Sequence, residues 1–260
     1  MSLDLTRMSY SRWKSYTECP LAWRYHYIDN LPTVERHYFS FGHTIHDCLE
    51  QFVKPFVKRP VPGEPMSLPY LLELYRNKWE RGGYRSADEE YRYFDDGIQI
   101  LTRFYEDYMT RQPKPLLVEH ELTASLDGFN LVGILDRVDL TDNAGLDIID
   151  YKTTKQLSMG DVAKSDQLTV YQILAEANLD LPVESLTLYH LPQMRRLTVP
   201  SRPSEVVDDV IRRMTETVDA IRSEDFAPRV GLQCRNCDYL DRCPAWADKR
   251  PKDPAPVPTS

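Results

Sequence analysis

The segment Leu146-Asp147-Ile148-Ile149-Asp150-Tyr151-Lys152 restricts the fold more than any other. Paired isoleucines read as a buried strand, and here they lead straight into an acid and a lysine. Side chains alternate with period two along a strand, so Asp150 and Lys152 share one face. Two further runs, Leu116 to Ser125 and Phe129 to Leu140, precede it. Asp127-Gly128 and Asp142-Asn143-Ala144-Gly145 supply the turns, and the three runs predict a β-meander. Asp136, on the preceding antiparallel strand, can then lie beside Asp150.

Around the meander the pattern is helical. Ser9 to Ile28 predicts a helix with Ser9 as N-cap and a break or fresh start at Pro20. Phe39 to Val57 predicts a second helix, carrying Gly42, His46, Leu49 and Phe52. Pro55 to Pro69 reads as a connector, followed by helices near residues 67–81 and 88–111. After the meander come a helix at about 161–177, strands near 185–191 and 196–199, and a last helix over about 203–223. That order predicts one α/β core with a helical insertion at about 58–114. A proline-rich tail at 249–260 is expected to fray.

The 260 residues suffice for one elaborated domain, here 1–248. No apolar run reaches the roughly 18 residues a membrane span needs, and the start lacks a secretory signal. A cytoplasmic protein without membrane contact is expected. The net charge of -8 argues against coating nucleic acid by charge alone. It leaves room for an enzyme acting on phosphodiesters, with Lys152, Lys155, Lys164, Arg195 and Arg196 available to a basic groove.

Two carboxylates a few ångströms apart repel unless a cation lies between them, so Asp136 and Asp150 make sense as oxygen ligands of Mg²⁺ or Mn²⁺. Lys152 would point at the same spot and orient an attacking water or stabilise phosphoryl charge. An exposed strand end could also produce an Asp-x-Lys triplet, but the preceding isoleucines favour the buried reading. His46 stands one turn after Gly42, where a small residue lets the helix approach a neighbour; such a histidine either packs or ligates. Gln167 and Tyr171 share one face of the helix after the meander. Glu119 and Glu121 share one face of the first strand, and either could join the carboxylates or simply be solvated. The insertion holds many aromatic residues, Tyr70, Tyr75, Trp79, Phe94 and Tyr108 among them. They serve as core or, less simply, as an arch for unpaired bases.

Three of the five cysteines fall in Cys234-Arg235-Asn236-Cys237-Asp238-Tyr239-Leu240-Asp241-Arg242-Cys243; Cys19 and Cys48 lie far upstream. A disulfide framework does not suit a cytosolic chain. A Cys-x2-Cys pair alone fits zinc as well as anything else, although a single distant ligand at Cys19 fits paired zinc knuckles poorly. Cys48 is expected to pack as a small apolar group.

Taken in order, Gly42-x3-His46, Glu119, Gly133-x2-Asp136, Asp150-Tyr151-Lys152 and Gln167-x3-Tyr171 resemble the RecB-like branch of the PD-(D/E)XK nucleases. Ser9-Tyr10-Ser11-Arg12-Trp13 with Cys19-Pro20, and the closing Cys234, Cys237 and Cys243-Pro244, resemble its iron–sulfur subgroup. The likeness runs from about Ser9 to Pro244 and is weakest between Val57 and Leu116. Leu135 stands where the family often has proline. The resemblance implies a restriction-endonuclease-like core, a central mixed sheet flanked by helices, with a C-terminal iron–sulfur segment at 226–246. It implies that His46, Asp136, Asp150 and the Tyr151 carbonyl hold Mg²⁺ or Mn²⁺, that Lys152 is catalytic, that Gln167 and Tyr171 position the strand or the lysine, and that Glu119 is accessory. It implies a [4Fe–4S] cluster on Cys19, Cys234, Cys237 and Cys243, with zinc the lesser alternative. The implied activity is DNA hydrolysis, as an exonuclease on single strands or ends, in repair or recombination, phage replication or CRISPR adaptation. A different class would be a non-catalytic module that grips DNA ends beside a helicase or integrase partner; such a module normally loses an acid or the lysine, and this chain keeps them.

Overall fold

The computed structural model describes residues 7–57 and 67–249. Part of the predicted proline-rich connector and nearly all of the predicted tail therefore lie outside the described residues. Six strands make one mixed sheet: β1 (Arg7–Ser9), β2 (Pro115–Leu126), β3 (Phe129–Leu140), β4 (Leu146–Lys152), β5 (Val183–His190) and β6 (Arg195–Pro200). The order is β1-β3-β4-β5-β6, with β2 on the other edge of β3. The β2–β3–β4 meander is antiparallel, and β4–β5 is parallel, with Asp150 opposite Leu188 and Lys152 opposite His190. β1 runs parallel to β3 at its far end.

Helices cover both sides. α1 (Tyr10–Glu18) and α2 (Pro20–Tyr27) meet at Cys19, and Ser9 Oγ caps α1 by accepting from the Arg12 amide. Pro20 takes the first turn of α2, where its missing N–H costs nothing. α3 (His37–Val53), α4 (Leu68–Lys78) and α5 (Ala87–Arg111) pack together on one side. The helix predicted at 161–177 is two: α6 (Met159–Ala163) and α7 (Asp166–Asn178). Ser158 and Ser165 each cap a start, so the chain turns between them. α8 (Ser204–Arg222) completes the layer.

The two sides bury separate cores. One joins Leu131, Leu135, Ile148, Leu186 and Leu188 of the sheet to α1, α2, α7 and α8. The other joins Ile149, Tyr151 and Tyr189 to α3, α4 and α5. Burying Ile148 on one face and Ile149 on the other makes β4 a central strand, as its sequence predicts. Residues Leu168 to Ala175 of α7 are buried all round, which is why this helix shows little amphipathic signal. Two glycines set close approaches. A Cβ on Gly97 would lie 2.0 Å from Tyr75 Oη, and one on Gly133 would lie 2.7 Å from Leu174 Cδ1. The second contact seats α7 on the sheet beside Tyr171.

Most insertion rings are core: Tyr75, Phe104 and Tyr108 are buried, and Trp79, Tyr93, Phe94 and Tyr105 pack against them, whereas Tyr70 and Tyr91 are exposed. Cys48 is fully buried, and burial pushes its thiol up to about 12, so it packs as a neutral small group.

Candidate active site and metal centre

The C-terminal end of β4 carries the site. Asp150 is 2% exposed, and its Oδ2 lies 2.6 Å from Lys152 Nζ. The same ammonium donates to Gln167 Oε1 at 3.0 Å, and Gln167 Nε2 donates to Tyr171 Oη at 2.9 Å. The one-turn spacing of Gln167 and Tyr171 on α7 thus builds a chain from helix to lysine. Burial first, and then the Asp150 and Asp136 charges, raise the Tyr171 phenol well above its ordinary value, so it stays protonated.

Asp136 arrives from β3. Its Oδ2 accepts the Tyr151 amide hydrogen at 2.8 Å, which ties β3 to the end of β4. His46 reaches in from α3, with Nδ1 3.4 Å from Asp136 Oδ2 and 3.6 Å from Glu119 Oε1. Ligand atoms of His46, Glu119 and Asp136 all lie within 4.8 Å of one another. A methyl on Gly42 would meet only Thr153 Oγ1 at 3.5 Å, an ordinary contact, so α3 comes near the segment after Lys152 without pressing on it.

Glu119 and Glu121 part company, contrary to the shared face that alternation predicts. Glu119 has φ 41, a left-handed conformation that costs a non-glycine residue about 1–2 kcal/mol. Across this kink Val118 packs in one core while Leu122 and Ala124 pack in the other, although strict alternation would put all three on one side. Glu121 points to solvent and pairs with Arg7, and Glu119 turns in to His46.

The electrostatics are those of a site short of positive charge. Burial first, with Asp136 adding to it, pushes the Asp150 carboxyl up to about 6 against the pull of Lys152. Burial also raises Glu119. Burial alone would lower His46, but Asp136, Glu119 and Asp150 outweigh it and hold the imidazole well above its usual value. Two carboxylates with one imidazole, and Asp150 adjoining them outside that grouping, are a donor set that suits a hard divalent cation. A cation there would displace the His46 proton. Its affinity should therefore rise with pH through the raised His46 and Asp150 values. Calorimetric titration with Mn²⁺ near pH 7, in buffers of different ionisation enthalpy, should show close to one proton released per ion bound. His46→Ala should remove most of that release.

The sequence profile of the PD-(D/E)XK nuclease superfamily matches residues 7–244. The chain belongs to that superfamily. Its mixed sheet flanked by helices agrees with a restriction-endonuclease-like core. A crystal structure of a candidate exonuclease from Eubacterium rectale aligns with TM-score 0.55 at 12% identity, covering 99% of this chain and 92% of that one. SSO0001 (15% identity, 78% and 95% coverage, TM-score 0.41) and VC1899 from Vibrio cholerae (12%, 82% and 57%, TM-score 0.23) are more distant. No curated protein matches the sequence. Membership supports a nuclease, and nucleases of this superfamily use divalent metals, which agrees with the His46, Glu119 and Asp136 grouping. Among the described residues, no helix is long and apolar enough to cross a membrane.

The predicted cysteine site lies apart from the carboxylates. After α8 the chain returns to α1 and α2: Phe226 stacks on Trp23 at 6.0 Å, Arg229 donates to the Thr17 carbonyl, and Gln233 Nε2 donates to the Glu18 carbonyl at 2.9 Å. Arg36 pairs with Asp238 and donates to the Asn236 carbonyl at 2.7 Å. Cys19, Cys234, Cys237 and Cys243 line one cavity of about 980 Å³, and none is in a disulfide. Burial first, and then the other three sulfurs, push the Cys237 thiol up.

Of the lysines and arginines offered for a groove, Arg196 is committed to buried Asp147, whereas Lys155, Lys164 and Arg195 are exposed. One group near the site went unread in the sequence. Arg137, fully buried, donates to Tyr151 Oη at 3.0 Å and to Asp139 Oδ2 at 2.7 Å, and lies over the Tyr108 and Tyr151 rings. It clamps the ring of the residue whose amide holds Asp136. Its neighbours Asp136 and Asp139 made it look like an ordinary strand charge.

Proposed function

We propose that this chain is a RecB-like deoxyribonuclease that uses Mg²⁺ or Mn²⁺ to hydrolyse DNA from ends or along single strands. The observation that carries this reading is Lys152, whose ammonium bridges Asp150 and Gln167 beside the His46, Glu119 and Asp136 cluster. An ammonium held at the rim of a carboxylate group is placed to meet a phosphodiester, not to stabilise the fold, because it could reach solvent at less cost.

His46, Asp136, Asp150 and the Tyr151 carbonyl would hold the cation, with Glu119 as a further ligand; the imidazole favours Mn²⁺ over Mg²⁺. The cation supplies Lewis acidity toward the scissile phosphate. Lys152 orients the attacking water and offsets charge on the phosphoryl oxygens. Gln167 holds the lysine, and Tyr171 holds Gln167. Attack forms one P–O bond as the bond to the leaving oxygen breaks; a proton from the water passes to solvent, and solvent returns one to the leaving oxygen.

The same reading treats residues 1–248 as one nuclease domain, with the cysteines carrying a [4Fe–4S] cluster. Cys19, Cys234, Cys237 and Cys243 line one cavity, which would give four thiolates access to such a cluster.

Digestion of labelled linear single-stranded, linear duplex and circular single-stranded DNA in Mn²⁺ tests the proposal. Loss of label from the linear single strand with the circle spared is expected. No cleavage of any of the three would defeat it.

A further inference from the structure

β5 ends at His190, which lies opposite Lys152 in the parallel β4–β5 register, so the two side chains leave the sheet on the same face. His190 is 1% exposed. Its Nε2 lies 2.7 Å from the carbonyl oxygen of Thr154, two residues beyond Lys152. A carbonyl only accepts, so Nε2 carries the hydrogen. Nδ1 is buried and, among the described residues, without a hydrogen-bond partner. A leucine would fill a core position without leaving such an orphan. What sets histidine apart from leucine there is the bond that its far nitrogen makes.

That bond lies where Lys152 needs support. β4 stops at Lys152, and the next residues have left the ladder: Thr154 is exposed, and its carbonyl finds its partner in His190. Thr153 faces Gly42 of α3. The backbone that carries the lysine is therefore tied on the β5 side by His190 and bounded on the other by α3. Gln167 fixes the far end of the side chain at Nζ.

We infer that His190 is a positioning residue for the nuclease reaction: its Nε2–H holds the Thr153–Thr154 segment and so fixes where Lys152 Nζ meets the phosphate. The inference rests on the nuclease reading above. It assigns a role in turnover, not in DNA or metal affinity, because His190 is buried and the tether reaches only the lysine's own segment.

The test compares His190→Leu, His190→Asn and His190→Gln on end-labelled single-stranded DNA in Mn²⁺. Only glutamine puts an amide N–H about where the imidazole Nε2–H stands; asparagine puts one near Nδ1, out of reach of Thr154. The leucine and asparagine variants should lose kcat by on the order of ten- to a hundredfold, with KM and Mn²⁺ affinity unchanged. Glutamine should restore kcat to within about threefold of wild type, a rescue that packing alone would not produce. Wild-type kcat in either the leucine or the asparagine variant overturns the inference, as does a glutamine variant no better than asparagine. Asp150→Ala run alongside separates the two failures. If it is inactive while His190→Leu is fully active, the tether alone is wrong; if it cleaves like wild type, the site itself is wrong.

Discussion

Asp150→Asn should abolish DNA cleavage, by about a thousandfold or more, while making the metal-free protein more stable near pH 7.5. The activity loss follows from replacing an ionised ligand with a neutral amide. The gain in stability follows from linkage. A free aspartate titrates near 3.9, whereas burial pushes Asp150 up to about 6. The folded chain thus binds a proton more tightly than the unfolded one. The stability this adds is complete below about pH 4 and is lost as pH rises through about 6. Above that, the metal-free protein must hold an ionised carboxylate in its core. Asparagine removes the burden and gives up part of the contact with Lys152, a net gain of about 1–2 kcal/mol. Thermal unfolding in EDTA should show Tm raised by a few degrees, on the order of 2–4 °C per kcal/mol. Lys152→Ala should lose comparable activity without that gain. An Asp150→Asn variant that is both inactive and less stable would point to a structural acid.

Cys19→Ala should have the largest effect on stability. Cys19 stands at the α1–α2 corner and Cys234 to Cys243 more than two hundred residues later, so the proposed cluster would close almost the whole chain into one loop. Chain-entropy arguments give about 5 kcal/mol for a cross-link of that span. Hydrogen bonds such as Gln233 to the Glu18 carbonyl and Tyr25 to the Arg242 carbonyl remain, so docking should weaken and not vanish. A Tm lower by about 10 °C is expected, together with loss of the brown colour and the broad absorbance near ~400 nm that thiolate-bound iron gives. A colourless wild-type protein carrying one zinc would replace the cluster with zinc. Unchanged Tm and unchanged colour in the variant would remove Cys19 from the site.

What the sequence could show depended on whether the signal was local. β4 was legible because Ile148-Ile149 has no comfortable place outside a core, and the meander because Asp127-Gly128 and Asn143 to Gly145 are turn chemistry. Strand alternation placed Asp136, Asp150 and Lys152 together, whereas His46 joined them only through a resemblance in the order of motifs. The kink at Glu119 was invisible, since a glutamate gives no hint of a left-handed backbone; in the fold its side chain turns in to His46. β1 is three residues long and pairs with Asn130 to Val132, a contact across more than a hundred positions that no window could detect. The split of α6 from α7 did have a signal, since Ser158 and Ser165 are both cap residues, but the apolar periodicity across them hid the break. His190 read only as the end of a strand, because its partner Thr154 lies on a neighbouring element.

One activity assay bears most directly on whether these side chains act as a single centre: cleavage of end-labelled single-stranded DNA in Mn²⁺, in EDTA, and by Asp136→Asn in Mn²⁺. Products are expected in the first condition and none in the other two. Cleavage that persists in EDTA, or that Asp136→Asn leaves undiminished, would contradict a single centre.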